Sequence, residues 1–417
     1  MKKAIKCGKL FDSEKGTVSE NMLVVVDGKD IAEVVACPDV LPADCEVIDL
    51  SDSFVMPGLI DAHVHLSSTG TNADLTNSTH ALVGDLALRA VVNARLDLEA
   101  GFTTVRDCGC SGFINISARK AIASGLFPGA RIYASGGGIS STGGHGDLHL
   151  NPYMSSSLAT PPVDSPFEAR RAARYNIKHG ADFLKCMATG GVMSLGTTLG
   201  AQQLTVDELE AIVEIANMYG VHTAAHAHGT EGIKNAARAG ITSIEHGMML
   251  DEEAIEIFLE KGTYQTPTII AAERIIVCGP EMGLADWMID KAKQAYERHE
   301  WGIREGLRLG VKHSFGTDSG TPSNPHGKQA YEFELMVKFG FSPVQALQAA
   351  TKTNAELLRA DKLGAVAPGK FADIVAFKGN PLEDIRVMKE CAFVMKEGVV
   401  YKSCLLYTSD AADDSLR

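Results

Sequence analysis

Eight short apolar runs, each separated from the next by an amphipathic stretch, constrain this chain more than any other feature. They lie near Leu59 and at Thr103–Asp107, Arg131–Ala134, Phe183–Lys185, His222–His226, Ser243–His246, Tyr264–Thr268 and Ser314–Asp318. Between them apolar positions recur with a period of about 3.6, the mark of helices with one buried face. Val206 to Met218, opening on the acidic pair Asp207-Glu208, is one example. Such alternation predicts an α/β chain folded as a (β/α)8 TIM barrel, whose working residues sit at the C-terminal ends of the strands.

The two ends read differently. Met22–Val26 and Ile31–Val35 flank Asp27-Gly28, a hairpin signal. Phe371–Phe377 and Ala392–Met395 carry the same β-rich composition, the second run closing on Lys396-Glu397-Gly398. The expected organisation is therefore a β-sandwich shared by both ends, residues 1–56 and 363–403, with the barrel, 57–362, inserted between them. Residues 404–417 carry three aspartates and no apolar face. They read as a dispensable tail whose origin outside the gene is an open reading.

Composition excludes several classes of partner. The net charge is -13 over 417 residues. Nucleic acid and anionic membrane both call for a basic surface, so neither is expected. No run approaches the roughly 20 apolar residues of a membrane span. The start Met1-Lys2-Lys3 is not followed by an apolar leader segment, so no signal peptide is read. Nine scattered cysteines, an odd number in a long chain, read as reduced thiols of a cytoplasmic protein. Cys108-Gly109-Cys110 could bind a soft metal, but no second cysteine pair supports it. Homo-oligomerisation leaves no signature.

The chemistry begins at Asp61-Ala62-His63-Val64-His65. Residues i and i+2 of a strand point to one side, so His63 and His65 aim two imidazoles at one point. Neutral imidazole suits zinc and similar ions. Further candidates sit where later runs end: Lys185, His226, His246 and Asp318. Lys185 lies in an apolar strand, where an unpaired ammonium would be costly. His145 lies in the glycine-rich segment 136–147, which can lay a side chain over a substrate carbonyl. That segment lacks the strand–GxGxxG–helix context of a nucleotide site. His149 reads as structural. His228, two residues beyond His226, faces the same cavity and competes with it as a ligand.

Together and in this order, with Pro57-Gly58-Leu59-Ile60 before them and Leu363-Gly364, Pro368-Gly369 and Ala372-Asp373-Ile374-Val375 after them, these residues resemble the binuclear, metal-dependent branch of the amidohydrolase superfamily. The resemblance implies that His63, His65 and Asp318 hold the more buried of two divalent ions, zinc first, with manganese, cobalt and iron open. It implies that His226 and His246 hold the second, and that Lys185, carbamylated by CO2, bridges both. A bridging hydroxide would attack the carbonyl, Asp318 would carry its proton to the leaving amine, and His228 would bind substrate. Ala188–Ser194 and Ala225–Gly229 are similar to the peptidase members, near the imidazolonepropionase-like enzymes. A peptidase must anchor an α-carboxylate, for which a guanidinium fork is suited. Arg274, following Thr266–Ile270, is the candidate, beside His228. The expected substrate is an Xaa-Pro dipeptide. A Lys/Arg carboxypeptidase using Glu273 or Asp286, a cyclic-amide hydrolase, and a catalytically silent scaffold are the alternatives.

Overall fold

The computed structural model describes residues 2–42, 44–71, 81–147, 160–194 and 197–404. His149 and the tail beyond residue 404 lie outside them.

Four N-terminal strands, β1 (Lys2–Asp12), β2 (Thr17–Asp27), β3 (Asp30–Ala36) and β4 (Cys45–Pro57), join three C-terminal ones, β13 (Ile374–Phe377), β14 (Cys391–Lys396) and β15 (Val399–Ser403). The order is β15-β14-β13-β4-β1-β2-β3, a single seven-stranded sheet made from both ends of the chain. Two short turns shape it. In the β2–β3 turn Asp27 pairs with Asp30, as the Asp27-Gly28 signal predicts. In the β14–β15 turn both central residues, Glu397 and Gly398, have positive φ, the form that matches strand twist. Alternation along β4 sends Phe54 and Met56 into the main core and Val55 into the core on the sheet's other face. Arg131 ties the sheet to the rest through Asp373 (2.6 Å) and Glu397 (2.7 Å).

Between these ends lie eight parallel strands. β5 (Leu59–Val64), β6 (Phe102–Asp107) and β7 (Arg131–Ala134) form one sheet. β8 (Phe183–Met187), β9 (His222–Ala227), β10 (Ser243–His246), β11 (Tyr264–Thr266) and β12 (Lys312–His313) form the other. Backbone bonds link the two sheets at both edges. Asp182 N–H donates to Ala134 O (2.8 Å) and Met187 N–H to Ile139 O (2.9 Å). At the opposite edge Ala62 N–H donates to Phe315 O (2.9 Å) and Asp318 N–H to His63 O (2.7 Å). The eighth run thus differs from expectation. Lys312 and His313 pair with β11 and Ser314 N–H donates to its Gln265 O; Phe315–Asp318 goes on to bond along β5, which carries Asp318 to His63.

Helices follow the strands. Val206–Tyr219 starts at a capping box of Thr205 and Glu208 and ends at Gly220 in the left-handed region. The helix Ile269–Met282 starts where buried Glu332 accepts from Ile269 N–H (2.8 Å) and Ile270 N–H (2.7 Å). Among the described residues no helix is long and apolar enough to cross a membrane.

Candidate active site

The strand ends converge on a cavity of about 310 Å³ whose polar lining is His63, His65, His145, Lys185, His226, His228, His246, Asp318 and Thr321. The sequence-expected residues other than Arg274 therefore meet in one place. Neighbouring imidazole centroids lie 4.0 to 5.4 Å apart. Asp318 Oδ1 lies 3.4 Å from His63 Nε2 and 3.3 Å from His65 Nε2.

Three histidines are held at the nitrogen turned away from that carboxylate or from the cavity. His63 Nδ1 meets Glu245 Oε2 at 2.7 Å, His65 Nδ1 donates to Gly109 O at 3.0 Å, and His246 Nδ1 meets Thr268 Oγ1 at 2.6 Å. Glu245 is fully buried and receives Arg106 (2.7 Å) and Ser243 Oγ (2.6 Å) on its other oxygen. Burial alone would raise the Glu245 carboxyl; Arg106 and His63 hold it well below the ordinary range. Backbone strain marks the same place. His246, Thr268 and Asp318 all have positive φ, a costly region for residues other than glycine. At β10 this turn breaks the strand alternation, so that adjacent Glu245 and His246 both reach His63.

The donor set fits divalent cations. His226 Nε2, His228 Nδ1 and Asp318 Oδ1 are buried with no hydrogen-bond partner among the described residues, atoms that are costly to leave unmatched. Two groups, His226–His228–His246 and His63–His246–Asp318, bring their ligand atoms within 4.8 Å of one another. Burial, aided by Lys185, lowers His63 to about 4, and burial with His145 lowers His228 to about 3. Burial also holds His226 and His246 well below their ordinary value. The neutral imidazole thus favoured is the form that ligates. Lys185 is 1% exposed, and among the described residues no hydrogen bond or ion pair engages its ammonium.

His145 stacks on His226, 4.0 Å between centroids and 20° between planes, and its Nδ1 meets Ser194 Oγ. Gly191 makes this possible: a Cβ there would lie 2.5 Å from His145 Cε1 and 3.0 Å from His226 Nε2. Cys108, though grouped with His63 and Glu245, is buried with its thiol raised to about 12 by burial and its Sγ–H directed at Ala62 O. Cys110 instead accepts from Asn115 N–H. All nine cysteines are free thiols.

Arg274 is placed elsewhere. Ala271, Ala272 and Ile275 of its helix line the histidine cavity, while Arg274 lines a second cavity and lies flat against Tyr331, 4.4 Å from the ring centroid. The reason is helical phase: neighbours on a helix point about 100° apart. Neither Glu273 nor Asp286 lines the histidine cavity either. Glu245, Arg106, Thr268, Ser194 and Gly191 went unnoticed in sequence. The usable signal was charge or hydroxyl inside fully apolar strands, at Arg106 and at the i, i+2 pair Ser243 and Glu245.

The amidohydrolase family model matches residues 54–401. The chain belongs to the amidohydrolase family. It is 34% identical to the ochratoxinase of Aspergillus niger over 374 residues, 84% of this chain and 75% of that protein. Among solved structures it is similar to a Xaa-Pro dipeptidase with methionine bound in its active site: TM-score 0.89, 36% identity, covering 97% of this chain and 100% of that one. It is also similar to a prolidase complexed with N-methylphosphonate-L-proline: TM-score 0.89, 32% identity, with the same coverage of both chains. As an amidohydrolase it is a hydrolase.

Proposed function

We propose that the chain is a metallo-dipeptidase that hydrolyses the peptide bond of Xaa-Pro dipeptides. The observation that carries this reading is the cavity's lining. Beyond the histidines, Lys185, Asp318 and the hydroxyl residue Thr321 it is apolar, with Met187, Val192, Met193, Met248 and Ile275, and its only carboxylate among the described residues is Asp318. A site for C-terminal Arg or Lys needs an acidic partner for that side chain; this one suits an apolar residue such as proline. In the same reading the two parallel sheets are the halves of one (β/α)8 barrel spanning 57–362. The terminal sheet is the small β module of 1–56 and 363–403, one sheet where a sandwich of two was expected, and the nine free thiols fit a cytoplasmic location.

His63, His65 and Asp318 would hold one divalent ion and His226 and His246 the other, zinc first, with a carbamate on Lys185 between them. Divalent ions held there would supply Lewis acidity toward the scissile carbonyl and acidify water. The chain's own residues do the rest. Asp318, held between His63 and His65, takes the proton of the attacking water and passes it to the leaving nitrogen. His145, locked by the stack on His226, stabilises negative charge on the carbonyl oxygen. His228 contacts the substrate carboxylate in the role expected of Arg274. The apolar wall excludes water and takes the proline ring.

A dipeptide panel with Pro, Leu, Arg and Lys at the C-terminus tests this, run on enzyme whose metal content is measured. Ala-Pro is expected to be turned over fastest. Turnover confined to Xaa-Arg and Xaa-Lys would overturn the specificity, and turnover of cyclic amides alone would overturn the peptidase reading.

A further inference from the structure

The second cavity, about 450 Å³, lies on the far side of the helix Ile269–Met282 from the histidine site. Three cations line it, Arg274, Lys328 and Lys389, and no carboxylate does. Two carboxylates contact these cations: Glu273, 3.7 Å from Arg274 Nε, and Glu334, paired with Lys389. Lys328, exposed, has no ion-pair partner among the described residues, so the group carries one positive charge in excess. Arg274 and Lys389 both lie over the Tyr331 ring, 4.4 and 4.9 Å from its centroid. Tyr331 is itself fixed by its hydroxyl on Glu273 (3.2 Å). The guanidinium is thus held over the ring; its one hydrogen bond among the described residues is a weak one, from Nη1 to Cys278 Sγ.

An independent observation comes from Asn324, which lines the cavity and is 1% exposed. Its Nδ2 donates to Thr317 O (2.7 Å), which fixes the amide's orientation. Its Oδ1 is buried and has no partner among the described residues. A buried acceptor left open costs free energy that a ligand's N–H would recover. The cavity therefore offers donors for one anion and an acceptor for one N–H group.

We propose that this cavity binds a free α-amino acid, its carboxylate on Arg274 and Lys328 and its ammonium on Asn324 Oδ1. The single excess charge matches a monocarboxylate better than a phosphate dianion. Arg274 keeps the carboxylate-gripping chemistry expected of a guanidinium, at a site separate from the histidines. Thr317, to which Asn324 is bonded, immediately precedes Asp318. Occupancy there is thus connected through one side chain to the strand end that carries the proposed proton shuttle.

Soaking crystals of the metal-loaded enzyme in L-selenomethionine tests the site, with acetate as the amine-free probe. An anomalous selenium peak beside Tyr331 is expected. In solution, Lys328→Met should weaken selenomethionine binding at this site by about tenfold or more, the worth of one charged hydrogen bond. Dipeptide turnover measured without added amino acid should stay within about twofold, since Lys328 is exposed and lies outside the histidine cavity. A selenium peak confined to the histidine cavity would overturn the proposal, as would unchanged affinity in Lys328→Met. Acetate binding as tightly as selenomethionine would overturn the amino-acid class. None of these results depends on which dipeptide the enzyme cleaves.

Discussion

The imidazoles of the site fall into two sets. His63, His65 and His246 each have a ring nitrogen bonded to Glu245, Gly109 O or Thr268. His226 and His228 each keep a buried nitrogen with no partner among the described residues. The first set is oriented by the fold itself, through bonds that fix ring angle in all three and, at the carboxylate and the carbonyl, tautomer as well. The second is placed by packing alone, His226 under His145 and His228 against His246. The first set is oriented before anything binds; in the second, under the proposed assignment, His226 would complete its bonding on an ion and His228 on the substrate.

Several variants break or sharpen that contrast. The largest effect on rate is expected at Asp318, which touches both pinned histidines of β5. Asp318→Asn should lower kcat by about 10²- to 10⁴-fold, the usual worth of a positioned acid–base group, as steady-state kinetics would show. Next comes Arg106→Met, which strands the Glu245 charge in the interior. It should cost about 3–5 kcal/mol in denaturant unfolding of the metal-free protein. A loss below 1 kcal/mol would mean that Glu245 is neutral in the fold. Glu245→Gln keeps the shape but weakens the hold on His63, so metal affinity should drop about 10- to 100-fold in competition with a chelator. His228→Asn belongs to the unpinned set and to the substrate. Metal content should stay at the wild-type level while KM for Ala-Pro rises by about tenfold, the worth of one hydrogen bond to a charged group. A fall in metal content with KM unchanged would make His228 the ligand in place of His226.

The pH dependence separates the sets less sharply. Burial depresses His63 and His313 to about 4, and His228 and His299 to about 3. The unfolded chain takes up these protons near pH 6.5, before the folded one does. The stabilisation is therefore complete above pH 6.5 and is lost as pH falls toward 4 and 3. Thermal unfolding of chelated protein should show its midpoint falling across that window. A flat profile would mean that these rings are already charged in the fold.

Much of this was legible in the residues themselves. Strand alternation is a rule with period two, so His63 with His65 could be read as one face, and each remaining ligand lay at the end of an apolar run. The terminal strands were legible from their turns. What was hidden had to do with distance and phase. Arg106 and Glu245 stand 139 residues apart, on β6 and β10 of different sheets, and meet only because the two sheets enclose one interior. Positive φ at His246, Thr268 and Asp318 re-aims side chains in a way that residues such as threonine rarely announce. Arg274 went to the neighbouring cavity because the helix begins directly after a left-handed Thr268, and a shift of one residue rotates the helix face by about 100°. Short-range patterns carry a face; they do not carry its absolute orientation.

We propose a pair of cations bridged through Lys185, one on His63, His65 and Asp318 and the other on His226 and His246. Anomalous diffraction at the zinc edge, from crystals grown with zinc and bicarbonate, tests it most directly. The account predicts two zinc peaks, one at His63–His65–Asp318 and one at His226–His246, with added density on Lys185 Nζ between them. A single peak, or an unmodified Lys185 lying apart from both, would contradict it.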